Sequence, residues 1–231
     1  MQFTTSKVRD KMFFKQVRAI CKEFLPLTLT EIERIHKPTN KNLFILNFGL
    51  EKKLRLECIS PKKYIAVAEL RHLLEDNNIN VSKLFSYTHK TNKGALIVIS
   101  EWIYGEEFHL KLKSKSLSKE SRENLFIDYG DLLGKMNSIK VDDLHVLNSD
   151  IGLPNIIVTE ENKLFIIDHQ KLKLVSDARR VSEIVKLVLK RIKLRSRIDY
   201  FLIGYGRYFD TKDIIQRCED HNWLWWGKKK I

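Results

Sequence analysis

The chain has 231 residues, 43% of them apolar, enough for one large domain or two small lobes sharing a cleft. No run of about 18 uncharged apolar residues occurs, so no membrane-spanning helix is expected. The 42 Lys and Arg against 29 Asp and Glu leave a net charge of +13; this fits a Lys-rich solvated surface or an anionic partner, whether phosphorylated substrate, anionic membrane surface or nucleic acid.

Residues 1–10 are polar and lack the apolar segment of a secretory signal. The three cysteines, Cys21, Cys58 and Cys218, are odd in number and far apart. That argues against a disulfide framework or a zinc site and for a reducing cytosol. Over 7–24, Met12, Phe13, Val17, Ile20, Cys21 and Phe24 recur at helical spacing with basic residues between them, and Pro26 ends the pattern. The expectation is an N-terminal helix over 1–26 that packs on the next unit or lies on a membrane surface.

From 27 the period changes to two. Strands are predicted at 29–35, 43–48 and 54–59, with a Pro-Thr-Asn turn after the first. A helix follows over 62–76, with Ile65, Ala68, Leu70, Leu73 and Leu74 on its buried side, and then strands at 83–87 and 95–99. After Gly105 a Lys- and Ser-rich connection at 109–119 leads to a helix over 119–139. Residues 156–158 and 164–167 form an apolar hairpin around a polar turn, with Asn155 just before it and Asp168 at its end. Asp150 lies five residues before Asn155. Oxygen ligands of this kind suit Mg²⁺, which takes one or two carboxylates plus substrate phosphates. A helix over 176–198 and a helical tail at 200–218 complete the pattern. The basic stretch 186–197 fits a solvated helix face or an anionic lipid surface. Trp223, Trp225 and Trp226 beside Lys228, Lys229 and Lys230 fit a membrane interface or a terminus folded on the core. Nucleic acid is not expected as a partner, since no RNA-binding motif accompanies them.

This order resembles the protein-kinase-like fold, an α+β architecture with a small antiparallel β lobe carrying one main helix (27–104) and a larger helical lobe bearing a catalytic hairpin (105–231). Asp150-Ile-Gly-Leu-Pro-Asn155 resembles its catalytic loop, and Ile166-Ile167-Asp168 the strand that ends in a metal-binding Asp. Glu69 in A-E-L-R-H-L-L looks like the acid of the small-lobe helix. Residues 101–108, E-W-I-Y-G-E-E-F, look like the linker whose backbone meets adenine, at Glu101 and Ile103. The details resemble the small-molecule branch of the fold, which includes aminoglycoside, choline and lipopolysaccharide sugar kinases. Size and layout look closest to the lipopolysaccharide core heptose kinases.

The resemblance implies ATP and Mg²⁺ as cofactors, Asp150 as the base, Asn155 and Asp168 as metal ligands, and Arg55, Glu69, Glu101 and Ile103 as nucleotide-binding residues. It implies a sugar or anionic glycolipid acceptor and a cytoplasmic enzyme, in one reading peripheral to the inner face of the membrane. The alternatives are a pseudokinase or scaffold, a protein kinase, or another small-molecule kinase. Departures are plain. Asn148 stands where the family carries His, and His169-Gln170 follow Asp168 in place of Phe-Gly. Glu57 falls in the slot of the phosphate-gripping lysine, leaving Arg55 or Lys53 as substitutes, and residues 34–43 contain no glycine.

Overall fold

The computed structural model describes residues 4–36, 43–49, 52–90, 94–149, 153–169, 171–192 and 195–220. Asp150 and the Trp-Lys segment at 223–230 lie outside these residues. The chain divides into two compact units. One is Met1–Glu69 with Ser82–Ile103; the other is Leu70–Val81 with Tyr104–Ile231.

In the first unit, β1 (Thr4–Lys7), β2 (Glu31–His36), β3 (Leu43–Phe48), β4 (Lys52–Ile59), β5 (Leu84–Lys90) and β6 (Leu96–Glu101) form one antiparallel sheet. Its order is β1-β2-β3-β4-β6-β5. The period-two pattern gives each strand an apolar and a polar face. Leu46, Leu54, Leu56, Ile97 and Ile99 line one face. Helix α1 (Lys11–Lys22) covers it with Val17, Ile20 and Cys21, all buried. Each such side chain contributes about 1.5–3 kcal/mol of burial. Asp10 caps α1: its Oδ1 accepts the N–H groups of Met12 and Phe13, both at 3.0 Å. The outward side of α1 carries Lys11, Lys15, Arg18 and Lys22, all exposed. The opposite sheet face has a smaller apolar group of Ile35, Leu43 and Ile45, with Trp102 packed against it.

The structure corrects the N-terminal expectation. A strand, β1, precedes the helix and pairs with β2 in the register Thr4↔His36 to Lys7↔Glu33. It is a polar edge strand, so it has no hydrophobic alternation to betray it. Helix α2 (Pro61–Asp76) forms where its periodicity predicts.

In the second unit, α4 (Lys119–Ser138), α5 (Asp177–Leu187), α6 (Arg195–Tyr205) and α7 (Lys212–Asp220) supply the bulk, with a short α3 (Phe108–Lys111). Ser118 caps α4 by accepting the Ser121 N–H at 3.0 Å. The single helix expected over 176–198 is instead α5, a π-helical turn Val188–Ile192, and α6. The reason lies in the apolar phase. Val181, Ile184, Val185, Val188 and Ile192 share one stripe, but Ile198, Phe201, Leu202 and Tyr205 restart it six residues later. One straight helix could not bury both sets.

Helices α4 and α6 meet through glycine. A Cβ at Gly130 would overlap the Phe201 carbonyl, and one at Gly204 would overlap the Ile127 carbonyl. Beside this contact a buried Arg180 reaches the Tyr205 hydroxyl at 2.7 Å, stacks on Phe209 at 3.7 Å and pairs with Asp177 Oδ1 at 2.6 Å. Burial pushes the Asp177 carboxyl up, but the hydrogen bond and charge of Arg180, with His145 and Lys140, outweigh it and hold the carboxyl below its ordinary value.

Two outcomes follow from this packing. Gly130→Ala should cost at least about 1–3 kcal/mol in urea unfolding, because backbone must give way on both helices. Asp177 is depressed on folding, so its contribution is present above the ordinary carboxyl value and is lost as pH falls through the folded value. Acid unfolding of Asp177→Asn should therefore lack that component; the effect is modest, since the carboxylate is 64% exposed.

Candidate functional site

The candidate site grows from four short strands of the second unit. Strand β9 (Leu144–Asn148) pairs antiparallel with β12 (Leu172–Val175), in the register Leu172↔Asn148 to Val175↔His145. A 3₁₀ turn (Leu153–Asn155) then leads into β10 (Ile156–Val158), which returns as β11 (Leu164–Ile166). Their register is Ile156↔Ile166, Ile157↔Phe165 and Val158↔Leu164. The turn closes through Thr159 N–H to Lys163 O at 2.9 Å and Lys163 N–H to Thr159 Oγ1 at 3.3 Å. The hairpin falls where the apolar runs predict.

That register sets the chemistry. Ile167 N–H donates to Asn155 O at 3.1 Å, so Asn155 stands opposite Ile167 and Asp168 follows directly. Both Asn155 and Asp168 are half-buried. Asn148 is buried, and its Nδ2 donates to the Asp168 carbonyl at 2.6 Å. The donor at this position is an amide N–H. Leu172 N–H to His169 O at 3.1 Å tightens the loop that follows Asp168.

The hairpin is clamped on both edges. On one, β7 (Glu106–Glu107) pairs with β10 as Ile157↔Glu107 and Val158↔Glu106. Gly105 lies so close to the Val158 carbonyl that any Cβ there would overlap it. On the other edge, Ile166 N–H donates to Asn80 O at 2.9 Å and Val81 bridges to Ile166. Ile156, Ile157, Val158, Leu164 and Ile166 are all buried. Side chains at the end of such a ribbon are held by packing, as a binding constellation requires.

The donor types suit Mg²⁺: one carboxylate, Asp168, and one amide oxygen, Asn155, brought near each other by the hairpin register. No cluster of three or more His, Cys, Asp or Glu that could hold a metal exists among the described residues. A transition-metal centre would need such a set. Asp150, the expected base, lies outside the described residues.

The other expected residues belong to the first unit. On β4, Arg55 Nη2 donates to Glu57 Oε1 at 2.6 Å, with their side chains 11% and 13% exposed. Residues two apart on a strand share a face, here the one opposite α1, alongside Asn47, whose Nδ2 donates to Glu33 Oε1 at 2.6 Å. The alternating pattern allowed both to face solvent; instead they are mostly buried. Glu69 is exposed on α2 and makes no ion pair among the described residues, while Arg55 pairs with Glu57. Lys53, the other substitute, is half-buried on the same strand. At the end of β6, the Glu101 N–H is taken by Lys83 O at 2.8 Å, and the Glu101 carboxylate accepts the Lys83 N–H at 3.3 Å. The Ile103 amide and carbonyl make no hydrogen bond among the described residues. Sequence reasoning missed the Arg55–Glu57 pair, although its i, i+2 spacing was visible, and missed the clamp at residues 80–81.

No protein-family model matches the sequence, and no curated protein sequence does either. Solved structures do match. A spectinomycin phosphotransferase in complex with ADP and spectinomycin superposes with a TM-score of 0.65 at 13% identity, covering 97% of this chain and 87% of that one. An ADP-bound aminoglycoside phosphotransferase gives 0.62 at 12% identity, over 94% and 88% of the two chains. The choline kinase LicA from Streptococcus pneumoniae gives 0.60 at 12% identity, over 93% and 89%. The fold is therefore α+β and protein-kinase-like, and its structural neighbours are small-molecule kinases of that fold.

Asn148→Ala should leave the Asp168 carbonyl without this donor. We expect a loss of about 1–3 kcal/mol in stability, read in urea unfolding, and the apolar hairpin should remain paired in hydrogen exchange.

Proposed function

We propose that the chain transfers the γ-phosphoryl group of ATP to an alcohol group of a small molecule or glycan. The observation that carries this reading is the placement of Asn155 beside Asp168 at the clamped end of the hairpin, tied back by Asn148. In this reading Asn155 and Asp168 hold Mg²⁺, which when bound neutralises charge on the β- and γ-phosphates. Asp150, two residues beyond Asn148, orients the acceptor hydroxyl and accepts its proton late in the transfer. The hydroxyl oxygen bonds to the γ-phosphorus, the bond to the β–γ bridging oxygen breaks, and ADP leaves with that electron pair. Positioning accounts for most of such a rate enhancement, and so a rigid ribbon is the apt support.

Arg55 binds phosphate oxygens of the nucleotide, with Glu57 fixing its guanidinium. A carboxylate in the lysine slot then aims the cation that replaces the lysine. The backbone of Ile103, with no hydrogen-bond partner among the described residues, meets the adenine edge beside Glu101. For the acceptor we propose a sugar hydroxyl of an anionic glycan such as a lipopolysaccharide core heptose, phosphorylated at the cytoplasmic face of the membrane; the net charge of +13 favours an anionic acceptor. A pseudokinase is the second reading, favoured by the absence of glycine from residues 34–43.

The test is transfer from γ-labelled ATP to a panel of core oligosaccharide, aminoglycosides and choline. Transfer to one acceptor is expected, with kcat lowered about 10²–10⁴-fold in Asp150→Ala and nucleotide binding retained. No transfer to any acceptor, with ATP still bound, would leave the pseudokinase reading standing. Glu57→Gln should raise the KM for ATP about tenfold, equivalent to ~1.4 kcal/mol.

A further inference from the structure

The first unit holds a large groove on the sheet face that α1 covers, opposite the Arg55–Glu57 face. Its volume is about 1070 Å³, at the upper end for small-molecule sites, which run to roughly 1,000 Å³. The end of β1, the first half of α1, and Arg34, Phe44 and Cys58 of three adjacent strands line it.

The floor is apolar. Phe13 and Phe44 lie with ring centroids 5.3 Å apart, flanked by Val8 and Cys58. Burial, and next the charge of Glu57, push the Cys58 thiol up to about 11, so it stays neutral near pH 7. Met12 borders the groove with 69% of its surface exposed, the most open of the large apolar side chains among the described residues. A flexible thioether held in water beside an aromatic floor suits an apolar ligand of variable shape.

The rim is cationic: Lys7, Arg9, Lys15 and Arg34. Lys7 is already bound to Glu31 at 2.6 Å. Arg9 and Lys15 make no ion pair among the described residues. The one acid in the lining, Asp10, turns its Oδ1 into the start of α1, where two backbone N–H groups hold it. Arg9 and Lys15 therefore bring positive charge with no ion pair among the described residues to the rim of an apolar floor.

We propose that this groove binds a single-chain anionic amphiphile, with its tail on Phe13 and Phe44 and its head between Arg9, Lys15 and Arg34. A free inorganic anion would leave the aromatic floor unused, and a neutral tail would leave the cations unmatched. The site is separate from Asn155 and Asp168 and does not depend on the reaction proposed for them.

Calorimetric titration with decyl phosphate, kept below its micelle concentration, tests this. Decyl maltoside supplies the same tail with a neutral head, and inorganic phosphate supplies a head alone. Saturable binding of one decyl phosphate per chain is expected, with either partial probe at least about tenfold weaker, a difference of ~1.4 kcal/mol. Arg9→Glu with Lys15→Glu, both exposed and so compatible with folding, should weaken decyl phosphate binding by a similar factor. Met12→Asp should do the same. Reversal of the exposed Lys119 and Lys212 of the second unit should leave it unchanged. Circular dichroism of each variant establishes that it is folded. Equal binding of decyl maltoside, unsaturable uptake, or undiminished affinity in the Arg9 and Lys15 reversal would overturn the proposal. Binding to phosphatidylglycerol vesicles without binding of monomeric decyl phosphate would also overturn it and assign the cations to a membrane surface.

Discussion

The hydrogen bond from Asn148 Nδ2 to the Asp168 carbonyl, 2.6 Å long, joins the two ribbons on which the candidate site is built. Strand β9 ends at Asn148 and β11 ends two residues before Asp168. Without a tie between them, each ribbon could keep its own register while Asn148 and Asp168 drifted apart. A one-residue slip in a strand pair would turn every side chain to the other face. Here the slip is blocked several times over: by the buried alternation of Ile156, Val158, Leu164 and Ile166, by β7 on one edge, and by Asn80 and Val81 on the other. Asn155 and Asp168 inherit their backbone positions from this redundancy.

The first unit shows the same economy of strand geometry. Alternation along β4 sends Leu54 and Leu56 toward α1 and sends Arg55 and Glu57 to the opposite face. Removing two charges from water costs several kcal/mol per ion, and their attraction seldom returns a large surplus. An ion pair with both side chains nearly nine-tenths buried is therefore weak evidence for stability. Under the proposed function this pair would hold a fixed cation toward an anion. Arg180 in the second unit is a useful contrast. Its guanidinium is consumed by Asp177, the Tyr205 hydroxyl and the Phe209 ring, so it organises a core and has no reach to spare.

Much of this was legible in the sequence, and the failures have physical causes. The hairpin, strands β3 and β4 and helices α2 and α4 announce themselves through period and caps. The role of Asn148 could be foreseen from its donor chemistry alone. Strand β1 could not, because an edge strand of Thr, Thr, Ser and Lys hides no apolar face. The break between α5 and α6 was written in the six-residue gap from Ile192 to Ile198, but a window centred on either stripe overlooks it. The Arg55–Glu57 contact was harder. Spacing places the two on one face, yet only tertiary packing decides that the face is buried and that Glu69 stays in solvent. The groove beneath Met12 gathers residues from five elements, and no local pattern could have assembled it.

In the proposed function, Asn155 and Asp168 form a magnesium-dependent nucleotide site. Calorimetric titration of a non-hydrolysable ATP analogue, with and without Mg²⁺, tests it most directly. The account predicts saturable binding by the wild type that tightens when Mg²⁺ is present, and loss of that Mg²⁺ effect in Asp168→Ala with some metal-free affinity retained. Binding indifferent to Mg²⁺ in the wild type, or a Mg²⁺ effect that survives in Asp168→Ala, would contradict it.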